Sequence, residues 1–378
     1  MAIIEVKDLV KTYKIIEKDE GLFGYFKNLI RPKYKELTAV NHINFEIQKG
    51  ELVGYIGENG AGKSTTIKML TGLLTPTSGE VIIDNLVPNK NRIENNKKIG
   101  AIFGQKTQLW WDLPVIESFR LVKKMYELSD EEYIKNLKNF SEILELEELL
   151  EKQVKNLSLG QKMRCEIAAT FLHNPKIVYL DEPTIGLDVL VKEKIRVFIK
   201  KINKEKNTTV ILTTHDLKDI EDVCDRIILL DKGQIIYDGE KEKFKETYGK
   251  QVLAKIIVKN KTSLITTETI NDKFEVIEES NEHVKIRFNH DKYTIIDIVN
   301  KISNYCEIID MHIEEQGLEE ILKEIEEKEN NKPANEIVEI DENEEITNTQ
   351  YDMEKVTPKK DEKKSKKPSK WSALSKKT

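Results

Sequence analysis

The sequence predicts an α/β fold built on a buried parallel sheet. Short apolar runs at residues 52–56, 177–180 and 210–214 are separated by helical patterns, as in parallel strands that are covered on both faces. A glycine-rich loop connects the first run to a helical pattern. A charged segment with helical spacing, residues 118–155, interrupts the core. Together these observations predict an α/β core with an inserted helical subdomain.

The first part of the chain contributes strands. Residues 2–16 alternate apolar and polar side chains, which predicts an early strand. Residues 17–37 break the alternation with glycines, a proline and many lysines, and we expect them to form an inserted loop. Alternation resumes at residues 43–47, before the buried run that precedes the glycine-rich loop.

The helical subdomain is expected to span about residues 106–165, because leucine and isoleucine recur at helical spacing among charged residues. The core then returns with the runs at 177–180, 210–214 and 227–230. The α/β unit is therefore predicted to occupy residues 1–248.

Two further segments follow the α/β unit. Residues 249–328 are predicted to form a small α+β domain. Its strand patterns lie at 252–258, 274–277, 284–288 and 308–313, and its helical patterns lie at 295–302 and 318–327. Residues 329–378 form an acidic block and then a lysine-rich block. Because blocks of like charge rarely fold, we expect a disordered tail.

The bulk composition excludes several classes of protein. The 378 residues carry 61 basic and 67 acidic side chains, which argues against a general nucleic-acid binder because such proteins usually contain a basic domain. Cys165, Cys224 and Cys306 are widely spaced, which indicates a reducing compartment. Neither a membrane-spanning apolar run nor a signal-peptide pattern is present. We therefore expect a soluble, cytosolic protein.

A phosphate-binding loop is the strongest chemical signal. Its residues are Gly57, Glu58, Asn59, Gly60, Ala61, Gly62, Lys63 and Ser64, followed in the helix by Thr65. Glycines allow successive backbone amides to face the phosphates of a nucleotide, and the start of the helix adds its dipole. In this pattern Lys63 reaches the β- and γ-phosphate oxygens, and Ser64 can bind Mg²⁺. The loop therefore predicts ATP binding.

Two carboxylates follow the run at 177–180. Asp181 would hold Mg²⁺ directly or through water, and Glu182 would polarise the water that attacks the γ-phosphate. Acidic residues often follow strands, so this pair predicts a nucleotide site only because the phosphate loop lies upstream. Lys63 and Glu182 are therefore predicted catalytic residues, and Ser64 and Asp181 are predicted metal ligands.

The segment Leu-Ser-Leu-Gly-Gln at 157–161 resembles the signature of the ATP-binding-cassette (ABC) family, most often Leu-Ser-Gly-Gly-Gln. In that family the signature of one subunit caps the γ-phosphate held by the other. The resemblance implies this role for Ser158, Gly160 and Gln161. Leu159 replaces the first glycine, a variant similar to that of drug and polysaccharide exporter ATPases. Ser158 is also expected to cap the helix that follows.

Further motifs of the ABC family follow in order. The resemblance implies that Gln105 is the glutamine-loop residue and a third Mg²⁺ ligand, and that Asp188 belongs to a loop with contacts across the dimer. His215, after a core strand, matches the catalytic switch histidine that contacts the γ-phosphate. Tyr13 matches the aromatic residue that stacks on adenine, although a core tyrosine remains an alternative reading.

The partners implied by the resemblance are a second copy of the chain, or a paralogous ATPase subunit in its place, and a membrane permease. In the family, the region after the glutamine loop receives the coupling helix of the permease. Trp110 and Trp111 suit such a contact, and packing within the helical subdomain is the open alternative. The expected location is the cytoplasmic face of the membrane, and the resemblance favours export.

The whole pattern implies a P-loop NTPase core of the ABC-ATPase type, whose Mg-ATP-dependent dimer drives a permease. A cassette protein acting on ribosomes or DNA is disfavoured, because the chain has one cassette and no sustained heptads. A non-catalytic ATP sensor is disfavoured by Glu182 and His215. For residues 249–328, a regulatory or dimer-stabilising role and a plain spacer remain open. For the tail, solvation is favoured over contact with an anionic membrane surface.

Overall fold

The computed structural model describes residues 2–16, 34–104, 106–270 and 274–330. Three sequence predictions therefore lie wholly or mainly outside the described residues: the inserted loop at 17–37, Gln105, and the charged tail at 329–378.

A six-stranded sheet forms the centre of the α/β unit. Its strands are β3 (Leu52–Gly57), β5 (Ile99–Phe103), β6 (Ile177–Asp181), β7 (Thr209–Thr213), β8 (Arg226–Asp231) and β9 (Gln234–Glu240). The strand order is β5-β6-β7-β3-β8-β9. Neighbouring strands are parallel except for β9, which is antiparallel to β8. The predicted parallel sheet is confirmed, and its apolar runs are buried because both faces are covered.

A second, antiparallel sheet packs on the same core. Its strands are β1 (Ala2–Ile16), β2 (Tyr34–Gln48) and β4 (Ser78–Ile83), in the order β2-β1-β4. Helix α1 (Lys63–Leu70) contributes Ile67 and Met69 to the core that the two sheets share. The start of α1 is thereby fixed relative to the ends of the central strands.

Strand β2 corrects one prediction. The inserted loop was expected to reach residue 37, but β2 already begins at Tyr34, which pairs with Ile16, and Leu37 pairs with Tyr13. Tyr34 and Leu37 are 57% and 50% exposed. Ladder hydrogen bonds rather than burial hold this end of the strand, so the hydrophobic pattern carries no signal of it.

Helices cover the central sheet and build the helical subdomain. They are α2 (Arg92–Lys98), α3 (Val115–Met125), α4 (Asp130–Leu144), α5 (Leu159–Phe171), α6 (Val189–Lys206), α7 (Leu217–Val223) and α8 (Lys241–Tyr248), with 3-10 turns at Glu147–Leu149 and Val154–Asn156. Helix α5 extends beyond the predicted limit at residue 165, because its second half packs into the core beneath the central sheet. None of the helices in the described ranges is long and apolar enough to cross a membrane.

The α+β appendage has its own antiparallel sheet and its own core. Its strands are β10 (Gln251–Lys259), β11 (Glu275–Glu279), β12 (His283–Asn289) and β13 (Glu307–Glu315), in the order β11-β12-β10-β13, with helices α9 (Thr267–Ile270) and α10 (Ile295–Ile302). The four predicted strands and the predicted helix at 295–302 are confirmed. The hydrophobic pattern missed β4, β9, α2, α8 and α9.

The last described helix, α11 (Leu318–Asn330), packs on the α/β unit. Leu318 and Ile321 are fully buried in the core that also contains Phe244. A Cβ at Gly249 would stand 2.8 Å from Cδ1 of Ile321, so a glycine at this position makes room for the helix. The predicted segment 249–328 thus ends in a helix that belongs, by packing, to the preceding unit.

Candidate active site

The phosphate loop joins strand β3 to helix α1. Gly57 and Gly62 have φ angles of 147° and 103°, which residues other than glycine rarely adopt. A Cβ at Gly57 would stand 2.2 Å from the carbonyl oxygen of Leu230, and one at Gly62 would stand 2.4 Å from that of Ala39. The glycines therefore let the loop pass close to neighbouring backbone, at the start of a helix whose free N–H groups attract anions.

Lys63 lies inside this loop and is only 6% exposed. Its ammonium group donates hydrogen bonds to the carbonyl oxygens of Gly57 at 2.6 Å and Glu58 at 2.9 Å. Burial lowers the pKa of Lys63, while nearby carboxylates, that of Glu182 most strongly, act in the opposite direction. The loop thus holds a cation at its centre.

The other loop residues line its rim and its base. Glu58, Asn59 and Gly60 are exposed, and Gly60 has a φ of 89°. The N–H of Ala61 donates to the carbonyl oxygen of Glu58 at 3.2 Å. Thr65 is half-buried in the first turn of α1.

Asp181 ends strand β6 beside the phosphate loop. Its Oδ1 accepts hydrogen bonds from the hydroxyl of Ser64 at 3.2 Å and from that of Thr213 at 2.6 Å. The carboxylate is 7% exposed. The two predicted metal ligands that the structure describes are therefore in contact. Thr213, which also contacts Asp181, was not among the predicted residues. Strand register could have indicated it, because Thr213 pairs with Asp181 across β6 and β7.

Glu182 begins the turn after β6 in a left-handed conformation, with a φ of 56°. Its N–H donates to the carbonyl oxygen of Thr213 at 3.0 Å and to the hydroxyl of Thr213 at 3.2 Å. Its Oε1 lies 2.8 Å from Nε2 of His215, and both side chains remain partly exposed. The structure thus brings together the two predicted catalytic residues of the strand ends.

The signature segment forms the start of helix α5. The hydroxyl of Ser158 accepts from the N–H of Gln161 at 3.2 Å, and the side-chain oxygen of Gln161 accepts from the N–H of Ser158 at 3.0 Å. This reciprocal pair is a capping box, which confirms the predicted cap. Leu159 is the first residue of the helix and is 40% exposed. Helical backbone suits leucine, so this position requires no glycine.

The loop before helix α6 packs against the signature. Asp188 caps α6 by accepting from the N–H of Val191 at 2.9 Å. A Cβ at Gly160 would stand 3.2 Å from a Cγ of Val191 and 3.8 Å from Oδ2 of Asp188. Two segments that helix α5, strand β6 and the connecting loops separate in the sequence are therefore close together.

Tyr13 lies near the end of β1 and is half-buried. It pairs with Leu37 of β2, and the ammonium group of Lys11 lies 5.3 Å from the centre of its ring. Tyr13 is absent from the buried hydrophobic core, so the alternative of a core tyrosine is wrong.

Trp110 and Trp111 lie on the surface of the helical subdomain and are 46% and 51% exposed. The N–H of Trp110 donates to the hydroxyl of Ser118 at 3.1 Å. The ammonium group of Lys162 lies 4.3 Å from the centre of the Trp111 ring, a cation–π contact. The backbone of Trp110 and the ring of Trp111 are therefore each held by a polar contact, while both side chains stay about half exposed.

Comparison with known proteins identifies the family. The family model described as ABC transporter matches residues 40–185. The linearmycin resistance ATP-binding protein LnrL of Bacillus subtilis is 33% identical over 269 residues, which cover 71% of this chain and 83% of LnrL.

Two solved structures have a similar fold. A dimeric ATP-binding cassette in a post-hydrolysis state with ADP and Pi is 32% identical, with a TM-score of 0.52 and coverage of 63% of this chain and 98% of that chain. The cbiO1 protein of Clostridium perfringens, part of the ABC transporter complex cbiONQ, is 29% identical, with a TM-score of 0.53 and coverage of 65% and 92%. The chain therefore belongs to the ABC transporter family and is an ATP-binding ATPase subunit of that family.

Proposed function

We propose that two copies of this subunit close around Mg-ATP and that their hydrolytic cycle drives a separate membrane permease, as an exporter. The observation that carries the proposal is the meeting of two side-chain groups at the ends of β6 and β7, beside Lys63. Ser64 contacts Asp181, and His215 contacts Glu182. Ligands of α/β sheets bind at these carboxyl ends of the strands.

The residues at the end of β6 fit a magnesium ion. Ser64 Oγ and Asp181 Oδ1 lie 3.2 Å apart, and Mg²⁺ prefers such hard oxygen ligands, together with phosphate oxygens. When bound, Mg²⁺ would neutralise charge on the phosphate oxygens.

Each side chain of the site has its own proposed role in hydrolysis. Lys63 and the loop amides bind the triphosphate and offset its charge. Glu182 orients the attacking water, and its carboxylate is held by the contact of 2.8 Å with His215. His215 also stabilises the γ-phosphate. The half-buried Tyr13 is proposed to stack on the adenine ring.

A second copy of the chain is proposed to complete the site. Ser158 and Gln161 use their side chains to cap helix α5, and their side-chain hydrogen bonds within the described residues stay within this cap. The helix start is therefore free to present its backbone, including Gly160, to the γ-phosphate bound by the other copy. Asp188 lies next to Gly160 and is proposed to contact the same partner. The dimeric cassette described above supports this arrangement.

The permease is proposed to dock at the cytoplasmic face of the membrane near Trp110 and Trp111. Both side chains are exposed, and tryptophan is enriched at interface hot spots. The relative cbiO1 is part of a transporter complex, which supports a permease partner. Export is favoured by the resemblance of the signature to exporter ATPases and by the name of the relative LnrL.

The substitution Glu182→Gln tests the proposal. It keeps the size of the side chain but removes the base, so we expect ATP hydrolysis to fall by about 10²–10⁴-fold. ATP binding should persist and trap a dimer. Size-exclusion chromatography with light scattering, with and without Mg-ATP, measures this directly. Lys63→Ala is the control, because it should lose nucleotide affinity and stay monomeric under the same conditions.

Two results would contradict the proposal. Hydrolysis at the wild-type rate in Glu182→Gln would exclude a water-orienting role for this carboxylate. A Glu182→Gln subunit that binds ATP but stays monomeric at saturating ATP would exclude the shared site.

A further inference from the structure

Helix α5 contacts the segment 107–111 through one face. Lys162, Glu166 and Thr170 follow each other at intervals of four residues and so lie on the same side of the helix. Lys162 lies over the ring of Trp111. The Thr170 hydroxyl accepts from Nε2 of Gln108 at 3.4 Å. The segment is thus held along two turns of α5.

Glu166 makes the central contact. It is 3% exposed, and its Oε1 accepts hydrogen bonds from the N–H groups of Gln108 at 2.8 Å and Leu109 at 3.3 Å. The hydroxyl of Thr107 donates to the same oxygen. Oε2 is buried and has no hydrogen-bond partner among the residues that the structure describes. Burial raises the pKa of Glu166, although these three donors and Lys162 favour the charged form.

A buried carboxylate is a costly way to hold a loop, because it must be desolvated. Here one oxygen serves three donors of consecutive residues, and the segment cannot slide along α5 without breaking these three hydrogen bonds. Glu166 therefore makes the segment and the helix move as one body.

Helix α5 and the segment 107–111 carry residues of proposed function at their far ends. Ser158 caps α5 two helical turns before Glu166, which corresponds to about 12 Å along the axis. Trp110 and Trp111 follow the three donor residues directly. A displacement of the signature helix is thus delivered to the surface that carries the two indoles.

We propose that Glu166 is a positioning residue that fastens the segment 107–111 to the signature helix, so that closure of the nucleotide site moves Trp110 and Trp111. This role rests on the proposed function, in which the signature helix closes on ATP and the indoles face the permease. Glu166 itself touches neither ATP nor the reacting atoms in this scheme.

Tryptophan fluorescence provides the test. The chain has three tryptophans, so Trp371→Phe in every sample leaves only Trp110 and Trp111 as reporters. Quenching by acrylamide is measured with and without a non-hydrolysable ATP analogue and Mg²⁺. ATP affinity, kcat and nucleotide-dependent dimerisation are measured on the same samples.

We expect nucleotide to change the quenching constant in the parent chain and in Glu166→Gln, whose amide oxygen can still accept the three hydrogen bonds. In Glu166→Ala the change should be lost while ATP affinity is retained. Asn136→Ala is the matched control. It removes another buried side chain of the subdomain, which donates to the carbonyl oxygen of Leu172 at 2.8 Å, and it should keep the response.

If Glu166→Ala does not fold, Thr107→Val carries the test, because it removes one donor from Oε1 and should weaken the response. A full response in Glu166→Ala or in Thr107→Val would overturn the inference. The inference would also be overturned if Asn136→Ala lost the nucleotide-dependent change in quenching, or if the parent chain showed no such change. The dimerisation measurement shows separately whether the proposed function stands.

Discussion

Asp181 and Glu182 are adjacent carboxylates in different surroundings. Asp181 ends a buried strand and accepts two hydroxyl hydrogen bonds, whereas Glu182 occupies a left-handed turn and faces His215. For a residue other than glycine, such a backbone conformation costs about 1–3 kcal/mol and persists only where neighbours enforce it. Thr213 enforces it by accepting twice from the N–H of Glu182. The proposed metal ligand and the proposed water-orienting residue thus differ in backbone conformation as well as in partners.

His173 predicts a pH dependence of stability. It stacks on Tyr126 with ring centres 3.8 Å apart, and its Nε2–H donates to the carbonyl oxygen of Ile99 at 3.0 Å. Burial lowers its pKa from 6.5 to about 4. Between pH 4 and pH 6.5, the unfolded chain therefore carries a proton on His173 that the folded chain lacks. The free energy of unfolding should be unaffected above pH 6.5 and fall by about 3 kcal/mol as the pH approaches 4.

Urea unfolding between pH 7 and 4 measures this dependence. His173→Phe preserves the stacking on Tyr126 and removes the titrating group. Above pH 6.5 the variant should be less stable than the parent chain, because the carbonyl oxygen of Ile99 loses its donor, and its pH slope between 6.5 and 4 should be shallower. An unchanged slope would show that other groups cause the dependence.

At the scale of elements, the phosphate loop depends on where its glycines meet other backbone. In Gly57→Ala, the new Cβ would approach the carbonyl oxygen of Leu230 to 2.2 Å, so the loop must shift away from β8. We expect ATP affinity, measured by titration calorimetry, to fall by at least about tenfold, equivalent to about 1.4 kcal/mol.

Gly60→Ala is the matched control, since a Cβ there meets nothing within 4 Å. Its positive φ costs roughly 1–2 kcal/mol of folding stability, but the position of the loop should be kept. Equal losses of ATP affinity in the two variants would show that backbone conformation, and not contact with Leu230, matters.

Helix α5 combines stability and function in a single element. Its start is stabilised by the capping box of Ser158 and Gln161, a pattern that sequence alone reveals. Leu159 departs from the common family signature, yet it occupies helical backbone and costs no strain. The proposed contact with the γ-phosphate thus needs only a helix start with free N–H groups at this position, which leucine also provides.

At the scale of the whole molecule, helix α11 connects the end of the described chain to the ATPase core. Ile321 is 1% exposed within that core, and the carboxylate of Glu221 accepts from the N–H of Leu318 at 3.1 Å. Ile321→Ala should therefore destabilise the unit that binds ATP by about 2–5 kcal/mol. Thermal unfolding with and without ATP identifies this unit, because a ligand raises the unfolding temperature of the part that binds it.

Ile298→Ala is the comparison, because Ile298 is equally buried but belongs to the core of the appendage. Ile298→Ala should lower the temperature of an unfolding transition that ATP does not shift. If Ile321→Ala left the ATP-dependent transition unchanged, α11 would be peripheral to the stability of the ATPase core.

Much of this fold follows from local pattern. The parallel strands, the appendage strands and helix α10 were predictable because each buries a regular set of apolar residues. Exposed elements were missed: the start of β2 and strand β9 are held by ladder hydrogen bonds, which leave no hydrophobic signature. The phosphate loop and the capping box were predictable because both are local.

By itself, the sequence determined the kinds of groups in the site and their order along the chain: the loop lysine, the two carboxylates and the histidine. Only the tertiary structure decided which of them touch, since Asp181 meets Thr213 through the register of β6 and β7, and Glu182 meets His215 just beyond the strand ends. It alone showed that Glu166 holds the segment before the tryptophans and that α11 packs on the ATPase core. Local propensity acts between near neighbours in sequence, whereas these contacts join residues that only packing and strand pairing bring together.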